Sequence, residues 1–328
     1  MTQQPRAARI GLLQISVAGV LWGTGGLVVQ LVRETTPMSV LTISAYRMLI
    51  AAVVLLAAAV ALRRLPDVRR LLRERPGLAV AVGLATATYQ ALYFASVVAV
   101  GVTVATVVSL GLAPVLLTVG EAVHARRRPD TARLLVLVAA LSGLLLVSST
   151  AGLGSTGPHP VLGVLAAIGS GTAYALTTTM GRPLAQTTSP LALTTTTTAV
   201  GAVALVPLGL LSGLDGLGGS PLVSSDPGVL ALLLYLGVMT MALAYGLLYA
   251  GLRTTTGSAA VIATLLEPVT AAVMAALLLD ERLGAPGIAG TALILLAVAG
   301  LGRAIPGDPP LVPPQDLPQD RIATPERQ

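Results

Sequence analysis

Cysteine and lysine are missing from this chain of 328 residues, and aromatic and charged side chains are scarce, at 3% and 10% of the residues. Without cysteine the chain has neither disulfide bonds nor thiolate metal sites. The low charge, a hydrophobic fraction of 54% and a mean hydropathy of +0.85 exclude a soluble globular protein. The net charge of +6 comes from arginines in short connections between apolar runs, so the expected partner is a lipid bilayer and not a nucleic acid.

Ten apolar runs have the character of membrane-spanning helices, which need about 20 residues to cross a bilayer. The runs lie at 10–32, 38–62, 77–99, 102–123, 132–149, 161–181, 190–211, 228–252, 256–279 and 284–301. The pattern predicts an all-α polytopic membrane protein with ten transmembrane helices.

The distribution of arginine predicts how these helices are oriented. Arginines crowd the connections at 63–75 and 126–133 and the N-terminal segment 1–9, whereas the connections on the opposite side carry almost none. We therefore expect the protein in the cell (inner) membrane with its N-terminus in the cytoplasm. An even number of spans returns the C-terminus to the same side. The proline-rich segment 304–328 is expected to be a disordered cytoplasmic tail.

An internal repeat connects the two halves of the chain. TVATVVSLGLAP at 103–114 aligns with GSAAVIATLLEP at 257–268, and Trp22-Gly23 aligns with Tyr174-Ala175. The chain is thus predicted to consist of two repeats of five helices each, at 10–149 and 161–303, joined by an external linker at 150–160. Because five is odd, the second copy must be inverted relative to the first, as in many secondary transporters.

The pair Glu267-Pro268 lies near the middle of the ninth run, where a charge costs about 2.5 to 3.5 kcal/mol on insertion scales. Helical spacing predicts a lipid-facing stripe through Ile262, Leu266, Val269, Val273 and Leu277, with Glu267 pointing into the protein. A functional carboxylate and a structural carboxyl that satisfies backbone groups freed by Pro268 both fit this position.

The chain resembles the EamA-type branch of the drug/metabolite transporter superfamily. The resemblance rests on Trp22-Gly23, on Arg47 in the second span and on LLEPVTAAVMAALLLDERLGAPGIAGTALILLAVAGL at 265–301. It implies a secondary transporter that moves amino acids, other small metabolites or drugs, mostly outward, with a cavity built from the third, fourth, eighth and ninth helices. The first half departs from the pattern, since Ala113 precedes Pro114 and Arg127 stands where the second half has Glu281.

Eight residues are expected at the substrate site. Glu267 is expected to bind a substrate amine or to carry a coupling proton. Arg47 is expected to hold a carboxylate, although pairing between helices explains it equally well. The others are polar or aromatic residues on cavity helices or just before a proline: Tyr89, Gln90, Tyr93, Ser109, Tyr245 and Thr264.

Other polar residues receive structural interpretations. Tyr249 and Glu121 lie near the cytoplasmic ends of their spans, where an interfacial anchor and an interfacial ion pair are expected. The tract Thr194 to Thr198 covers every face of its helix, and threonines in membrane helices mostly bond to their own backbone.

The expected function is export of a small metabolite, most simply an amino acid or a related amphipathic compound, by alternating access and with possible proton coupling. No catalytic residues, metal site or cofactor are predicted, because the spans hold no aspartate and no central histidine and the chain has no P-loop. A carrier of drugs or other metabolites in either direction, and a non-transporting scaffold or sensor, are the alternatives. The oligomeric state stays open.

Overall fold

The computed structural model of the protein describes residues 3–150, 159–213, 220–278 and 284–303, and all regular secondary structure in these ranges is helical. The helices are α1 (Gln3–Thr35), α2 (Val40–Ala61), α3 (Leu65–Glu74), α4 (Pro76–Val100), α5 (Val102–Ala125), α6 (Thr131–Thr150), α7 (Pro160–Thr187), α8 (Pro190–Leu211), α9 (Pro227–Tyr235), α10 (Ala244–Leu252), α11 (Gly257–Ala263), α12 (Leu266–Leu278) and α13 (Ala285–Arg303). A π-helical segment, Leu236–Leu243, joins α9 to α10.

Within these described ranges, nine helices are long and apolar enough to cross a membrane, counting Pro227–Leu252 and Gly257–Leu278 as one each. The apolar part of α13, Ala285–Leu301, is shorter. The prediction of an all-α polytopic membrane protein is confirmed. The acidic and basic triplet at 280–282, the expected tail at 304–328 and most of the expected linker at 150–160 lie outside the described residues.

Helix α3 was not predicted, because its ten residues lie in an arginine-rich connection and are too few to register as an apolar run. Its apolar side chains Val68 and Leu71 are buried, and Val68 packs beside Leu191 and Ala192 of α8. The connection between α2 and α4 is therefore an ordered amphipathic helix resting on the bundle.

The helices pack in a limited set of partners. Helix α1 packs on α10 and α12, α7 packs on α4 and α5, α2 packs on α8, and α6 packs on α13. Several of these helix pairs approach closely at glycines. For example, a methyl group at Gly143 of α6 would lie 2.7 Å from the carbonyl oxygen of Gly290 in α13, which is too close for any side chain. In α4, small residues recur at every fourth position: Ala79, Gly83, Ala87, Ala91, Ala95 and Ala99. Such a row favours close helix packing. A methyl group at Gly83 would lie 2.6 Å from Val200 Cβ, but Ala95 is exposed.

The ninth span is broken between α11 and α12. Pro268 has no N–H, and in a regular helix its ring would press on the carbonyl of Thr264, so it favours a break or a bend one turn earlier. Instead, the carbonyl oxygen of Thr264 accepts the Glu267 N–H at 2.9 Å, and the carbonyl oxygen of Ile262 accepts the Leu265 N–H at 3.1 Å. These bonds to the third preceding residue tighten the chain at the break.

The equivalent proline in the first half does not break its helix. Helix α5 is continuous from Val102 to Ala125 with Pro114 inside it. The two halves therefore differ structurally at the position where they align best in sequence.

The lipid-facing stripe predicted for the ninth span is wrong in its first half. Ile262 is buried because α11 is surrounded by α1, α5, α7, α10 and α13. Leu266 and Val269 are buried in the first turns of α12, which packs on α1, α6 and α13. Val273 and Leu277 are exposed, Leu277 at 72% of its surface, as expected of a lipid-facing residue. Only the second half of the span is peripheral.

Helix α1 packs against the break through two glycines one turn apart, as the GxxxG spacing predicts. A methyl group at Gly19 would lie 3.1 Å from Thr264 Cα. A methyl group at Gly23 would overlap the carbonyl oxygen of Glu267 and lie 2.5 Å from Thr270 Cβ. The position of the Glu267 backbone is thus set by direct contact with α1.

Gly23→Ala is expected to destabilise the protein by about 1 to 3 kcal/mol, because the added methyl forces α1 and α12 apart. The measurement is a thermal unfolding curve of the purified protein in detergent, followed by circular dichroism. Gly26→Ala is the matched control in the same helix, since a methyl group there meets no atom within 4 Å in the structure. Equal midpoints for the two variants would contradict this packing.

Candidate substrate site

Glu267 lies in the first turn of α12, where a negative charge interacts favourably with the N-terminal end of the helix dipole. Its side chain is half-buried. Among the residues that the structure describes, no side chain or backbone group lies in hydrogen-bonding or ion-pairing distance of its carboxylate. The carboxylate thus has no partner among the described residues, on a side chain that is only half-buried.

Arg47 of α2 reaches the π-helical segment. Its Nη2 donates to Thr240 Oγ1 at 3.1 Å, and Thr240 Oγ1 donates in turn to the carbonyl oxygen of Leu236 at 2.6 Å. The Nε atom of Arg47 is buried without a hydrogen-bond partner in the structure. Because a guanidinium has five N–H donors, most of this group's capacity is unused.

The π-helical segment also frees a backbone carbonyl. The Ala244 N–H, which would bond to Thr240 in an α-helix, bonds instead to the carbonyl oxygen of Met239. The carbonyl oxygen of Thr240 accepts the indole N–H of Trp22 at 2.7 Å. Trp22 of α1 and Arg47 of α2 thus converge on one residue, and π-helical turns are common at functional sites.

Arg47 and Glu267 lie near enough for their charges to influence each other, although they do not form an ion pair. Tyr245, Tyr89 and Tyr93 lie in the neighbourhood of Arg47. No Arg47–Glu267 contact of 4 Å or less occurs among the ion pairs of the described residues. Five of the eight predicted residues are therefore neighbours here: Arg47, Tyr89, Tyr93, Tyr245 and Glu267.

Aromatic rings pack on both sides of these charges. Trp22 meets Tyr245 edge to face with their ring centroids 5.1 Å apart, and Tyr174 stacks on Tyr89 with their centroids 4.9 Å apart. Such ring pairs are favoured geometries. Positions 22 and 174 are the pair that the internal repeat aligns, so each half contributes an equivalent aromatic contact.

Tyr174 connects the stacked rings to the broken span. Its hydroxyl lies 2.9 Å from Thr264 Oγ1, and Thr264 Oγ1 donates to the carbonyl oxygen of Val261 at 2.9 Å. Because the single proton of Thr264 is used in that bond, the Tyr174 hydroxyl is the donor between them. Thr264 therefore caps α11 and holds Tyr174, rather than presenting a free hydroxyl.

Gln90 and Tyr93 complete the α4 face. Gln90 is only 4% exposed, and neither its amide oxygen nor its amide nitrogen has a hydrogen-bond partner in the structure. The Tyr93 hydroxyl lies 2.9 Å from Thr106 Oγ1 of α5. A buried amide without partners costs about 1 to 3 kcal/mol for each unsatisfied group, so Gln90 is the strongest local indication of a polar ligand.

Ser109 is fully buried in α5, and its hydroxyl donates to the carbonyl oxygen of Ala167 in α7 at 3.2 Å. The structure thus uses it to join two helices. Tyr249 is also fully buried, so its interpretation as an interfacial anchor is wrong, because α10 is enclosed by α1, α7, α8 and α11.

The threonine tract follows the structural interpretation. Each hydroxyl from Thr194 to Thr198 donates to a carbonyl oxygen three or four residues earlier in α8. The hydroxyl groups therefore find their hydrogen-bond acceptors within their own helix, which runs through the protein interior.

Glu121 does not form the interfacial ion pair that was expected. Its two carboxylate oxygens accept the Ser258 N–H at 2.9 Å and the Ser258 hydroxyl at 2.5 Å. The carboxylate therefore caps the N-terminus of α11, a position that favours negative charge. This cap joins the end of α5 to the start of α11.

Sequence analysis missed Thr240, Tyr174 and Thr106 as neighbours of the site. The repeat alignment of Tyr174 with Trp22 was a usable signal, since both rings pack on cavity helices. Thr240 stands alone in an apolar run, and Thr106 lies between Thr103 and Ser109 with nothing in the spacing to single it out. Among the described residues, no group of three or more histidine, aspartate or glutamate side chains is arranged to hold a metal ion.

Comparison with known proteins agrees with this architecture. The chain is 30% identical over 295 residues, 89% of its length, to the uncharacterized transporter YwfM of Bacillus subtilis (strain 168), of which the match covers 93%. A protein of known crystal structure shares the fold with a TM-score of 0.71 at 20% identity, over 90% of this chain and 96% of its own. The model of the EamA-like transporter family matches residues 9–149 and 161–303. This chain is therefore a multi-pass membrane transporter that belongs to the EamA-like transporter family.

Proposed function

We propose that this transporter exports a small zwitterionic metabolite, an amino acid or a related amphipathic compound, by alternating access of two inverted five-helix repeats. The observation that carries the proposal is a pair of opposite charges, Arg47 on α2 and Glu267 on α12, that lie near each other in apolar helices and form no ion pair among the described residues. The outward direction rests on the family resemblance.

The separation of these charges favours a zwitterion. Two isolated charges in an apolar interior are costly, and direct pairing is the usual way to lower that cost. In the proposed complex, a ligand that brings one charge of each sign lies between Arg47 and Glu267. The substrate carboxylate would pair with Arg47 and the substrate ammonium group with Glu267, so that both side chains gain an ion-pair partner.

The uncharged groups suit the remainder of such a ligand. Tyr89, Tyr93 and Tyr245 offer ring faces to an apolar side chain and, with ammonium groups, cation–π contacts. Gln90 offers an amide with one acceptor and two donors. In this assignment Ser109 and Thr264 support the site by holding α5, α7 and α11 in place.

Helix packing supports the two-repeat arrangement, with units at 10–149 and 161–303. If α1 to α6 and α7 to α13 are exchanged in order of their spans, the contacts of α1 with α10 and α12 become those of α7 with α4 and α5. The close approach of Gly19 to the Ala263 carbonyl likewise becomes that of Gly171 to the Ser109 carbonyl. The family model also matches the chain in two parts.

An exchange of proton and substrate follows from a shared carboxylate. A proton and a substrate ammonium group neutralise the same Glu267 oxygens, so binding of one excludes the other. This mutual exclusion is what a proton-coupled exporter requires, because each turnover returns the carrier with the proton in place of the substrate.

The orientation proposed from the arginines puts both termini in the cytoplasm, with α3 and the Glu121 cap on that side. The cap joins α5 of the first repeat to α11 of the second, so it holds the two repeats together at one end. Opening that end requires the cap to break, which makes Glu121 a part of the conformational equilibrium.

Transport of a radiolabelled amino-acid panel into inverted proteoliposomes, with and without an imposed pH gradient, tests the function. At least one amino acid is expected to accumulate only with the gradient. Glu267→Gln, which keeps the shape but cannot exchange a proton, is expected to abolish that accumulation while retaining slower exchange of substrate across the membrane.

The outcomes separate the alternatives. Equal accumulation by wild type and Glu267→Gln would make Glu267 structural and remove the coupling proposal. If no amino acid moves while labelled drugs or other metabolites do, the substrate class is wrong. If nothing moves and both proteins are folded, the scaffold or sensor interpretation gains support.

Glu121→Ala is expected to weaken the contact between α5 and α11 by about 1 to 2 kcal/mol, the usual effect of losing a helix cap. The equilibrium constant for opening at the cytoplasmic end should then rise roughly five- to thirtyfold. Because the chain has no cysteine, maleimide labelling of an Ala260→Cys background reports opening directly, since Ala260 is fully buried. Glu74→Ala removes an exposed carboxylate elsewhere and is the control. Unchanged labelling in the Glu121 variant would show that the cap does not restrain the repeats.

A further inference from the structure

We propose that the exposed face of α3 is a binding site for the phosphate of an anionic phospholipid, formed by Arg69, Arg70 and Arg73. The site lies outside the substrate site and does not depend on the proposed function. It follows from the geometry of α3, from its uncompensated charge and from its position between two membrane-spanning helices.

The geometry is that of a helix with two opposite faces. Val68 and Leu71 are buried against the bundle, whereas Arg69, Arg70 and Arg73 are exposed. At 100° per residue the three arginines fall on one side of the helix, opposite the buried pair. Together with Pro66 and Glu74 they bound an open cleft of about 460 Å³.

The charge of this face is only partly neutralised inside the protein. The connection from 63 to 75 contains six arginines and two acidic residues. Two ion pairs use both acids, Arg64 with Asp67 at 3.5 Å and Arg70 with Glu74 at 2.8 Å. Among the described residues, Arg69 and Arg73 form no ion pair, so the cleft presents at least two free guanidinium groups to an anion.

The position of α3 identifies the anion as a lipid headgroup. Helix α2 ends at Ala61 and α4 begins at Pro76, so α3 lies where the chain leaves and re-enters the bilayer. Leu72 is 41% exposed next to the arginines, and Leu62 is exposed just before α3. Exposed leucines beside arginines match an interfacial helix that contacts acyl chains and phosphates together, whereas a soluble anion would leave the leucines in water.

Helix α3 is also held in place firmly enough to form a site. It packs on α8, and Asp67 accepts a hydrogen bond from the hydroxyl of Ser189, the residue that caps α8, at 3.4 Å. The arginines therefore project from a fixed backbone. The other arginine cluster, Arg126 to Arg128, lies in a connection without helical structure and shares no such face.

Native mass spectrometry of the purified full-length protein, titrated with phosphatidylglycerol or phosphatidylcholine, measures this binding. Wild type is expected to bind phosphatidylglycerol more tightly than phosphatidylcholine. Arg69→Gln/Arg70→Gln/Arg73→Gln is expected to weaken phosphatidylglycerol binding about tenfold or more and to leave phosphatidylcholine unchanged. Arg126→Gln/Arg127→Gln/Arg128→Gln changes the net charge equally and is expected to retain the tight site.

Two further arms keep the proposal falsifiable. Arg69→Lys/Arg70→Lys/Arg73→Lys keeps the charge and is expected to retain most of the preference for phosphatidylglycerol. A melting curve establishes that each variant is folded. If both triple Arg→Gln variants lose phosphatidylglycerol affinity equally, the proposal is overturned, because net charge alone would then explain the affinity. Displacement of phosphatidylglycerol by millimolar inorganic phosphate would overturn it in favour of a site for a soluble anion.

Discussion

The structure depends on the break that the ninth span makes one turn before Pro268. Pro268 removes one backbone bond in the ninth span, and the chain responds by ending α11 at Ala263 and starting α12 at Leu266. An open backbone in a bilayer is tolerated only where protein surrounds it. Gly19 and Gly23 allow α1 to cover the break closely, and this packing places Glu267 in the first turn of α12, inside the protein.

The two halves use one packing scheme and diverge where the chemistry lies. Each half packs its first helix on the third and fourth spans of the other half, and each contributes one aromatic contact through Trp22 or Tyr174. Only the second half breaks at its proline and carries a carboxylate there, since Ala113 occupies the corresponding place in the first half. Arg47 and the π-helical segment supply the opposite charge and its support from other helices. In the proposed two-repeat arrangement, the repeated packing forms the frame, and the differences between the halves form the proposed polar site.

Much of this was predictable from the sequence, for physical reasons that also explain what was not. Apolar runs predict membrane helices well because lipid leaves the backbone no other choice, and the glycine spacing in α1 predicted its close packing. Glu267 and Arg47 were recognisable because charges in apolar runs are costly. The π-helical segment and the role of Thr240 were not, since a shift of one hydrogen bond leaves no mark on the residue pattern. The burial of Ile262, Leu266 and Val269 was missed because spacing identifies faces of a helix and not how many neighbours surround it.

The central claim is that Arg47 and Glu267 bind opposite ends of one zwitterion. The most direct measurement compares the dissociation constants of a transported amino acid, its decarboxylated amine and its deaminated acid, for example leucine, isopentylamine and 4-methylpentanoate, on wild type, Arg47→Gln and Glu267→Gln. Wild type is expected to prefer the amino acid over both analogues. Arg47→Gln is expected to bind the amine as well as the amino acid, and Glu267→Gln to bind the acid as well as the amino acid. If each substitution lowers the affinity for all three ligands by the same factor, Arg47 and Glu267 do not recognise the carboxylate and the ammonium group separately. That result would contradict the proposed binding of a zwitterion.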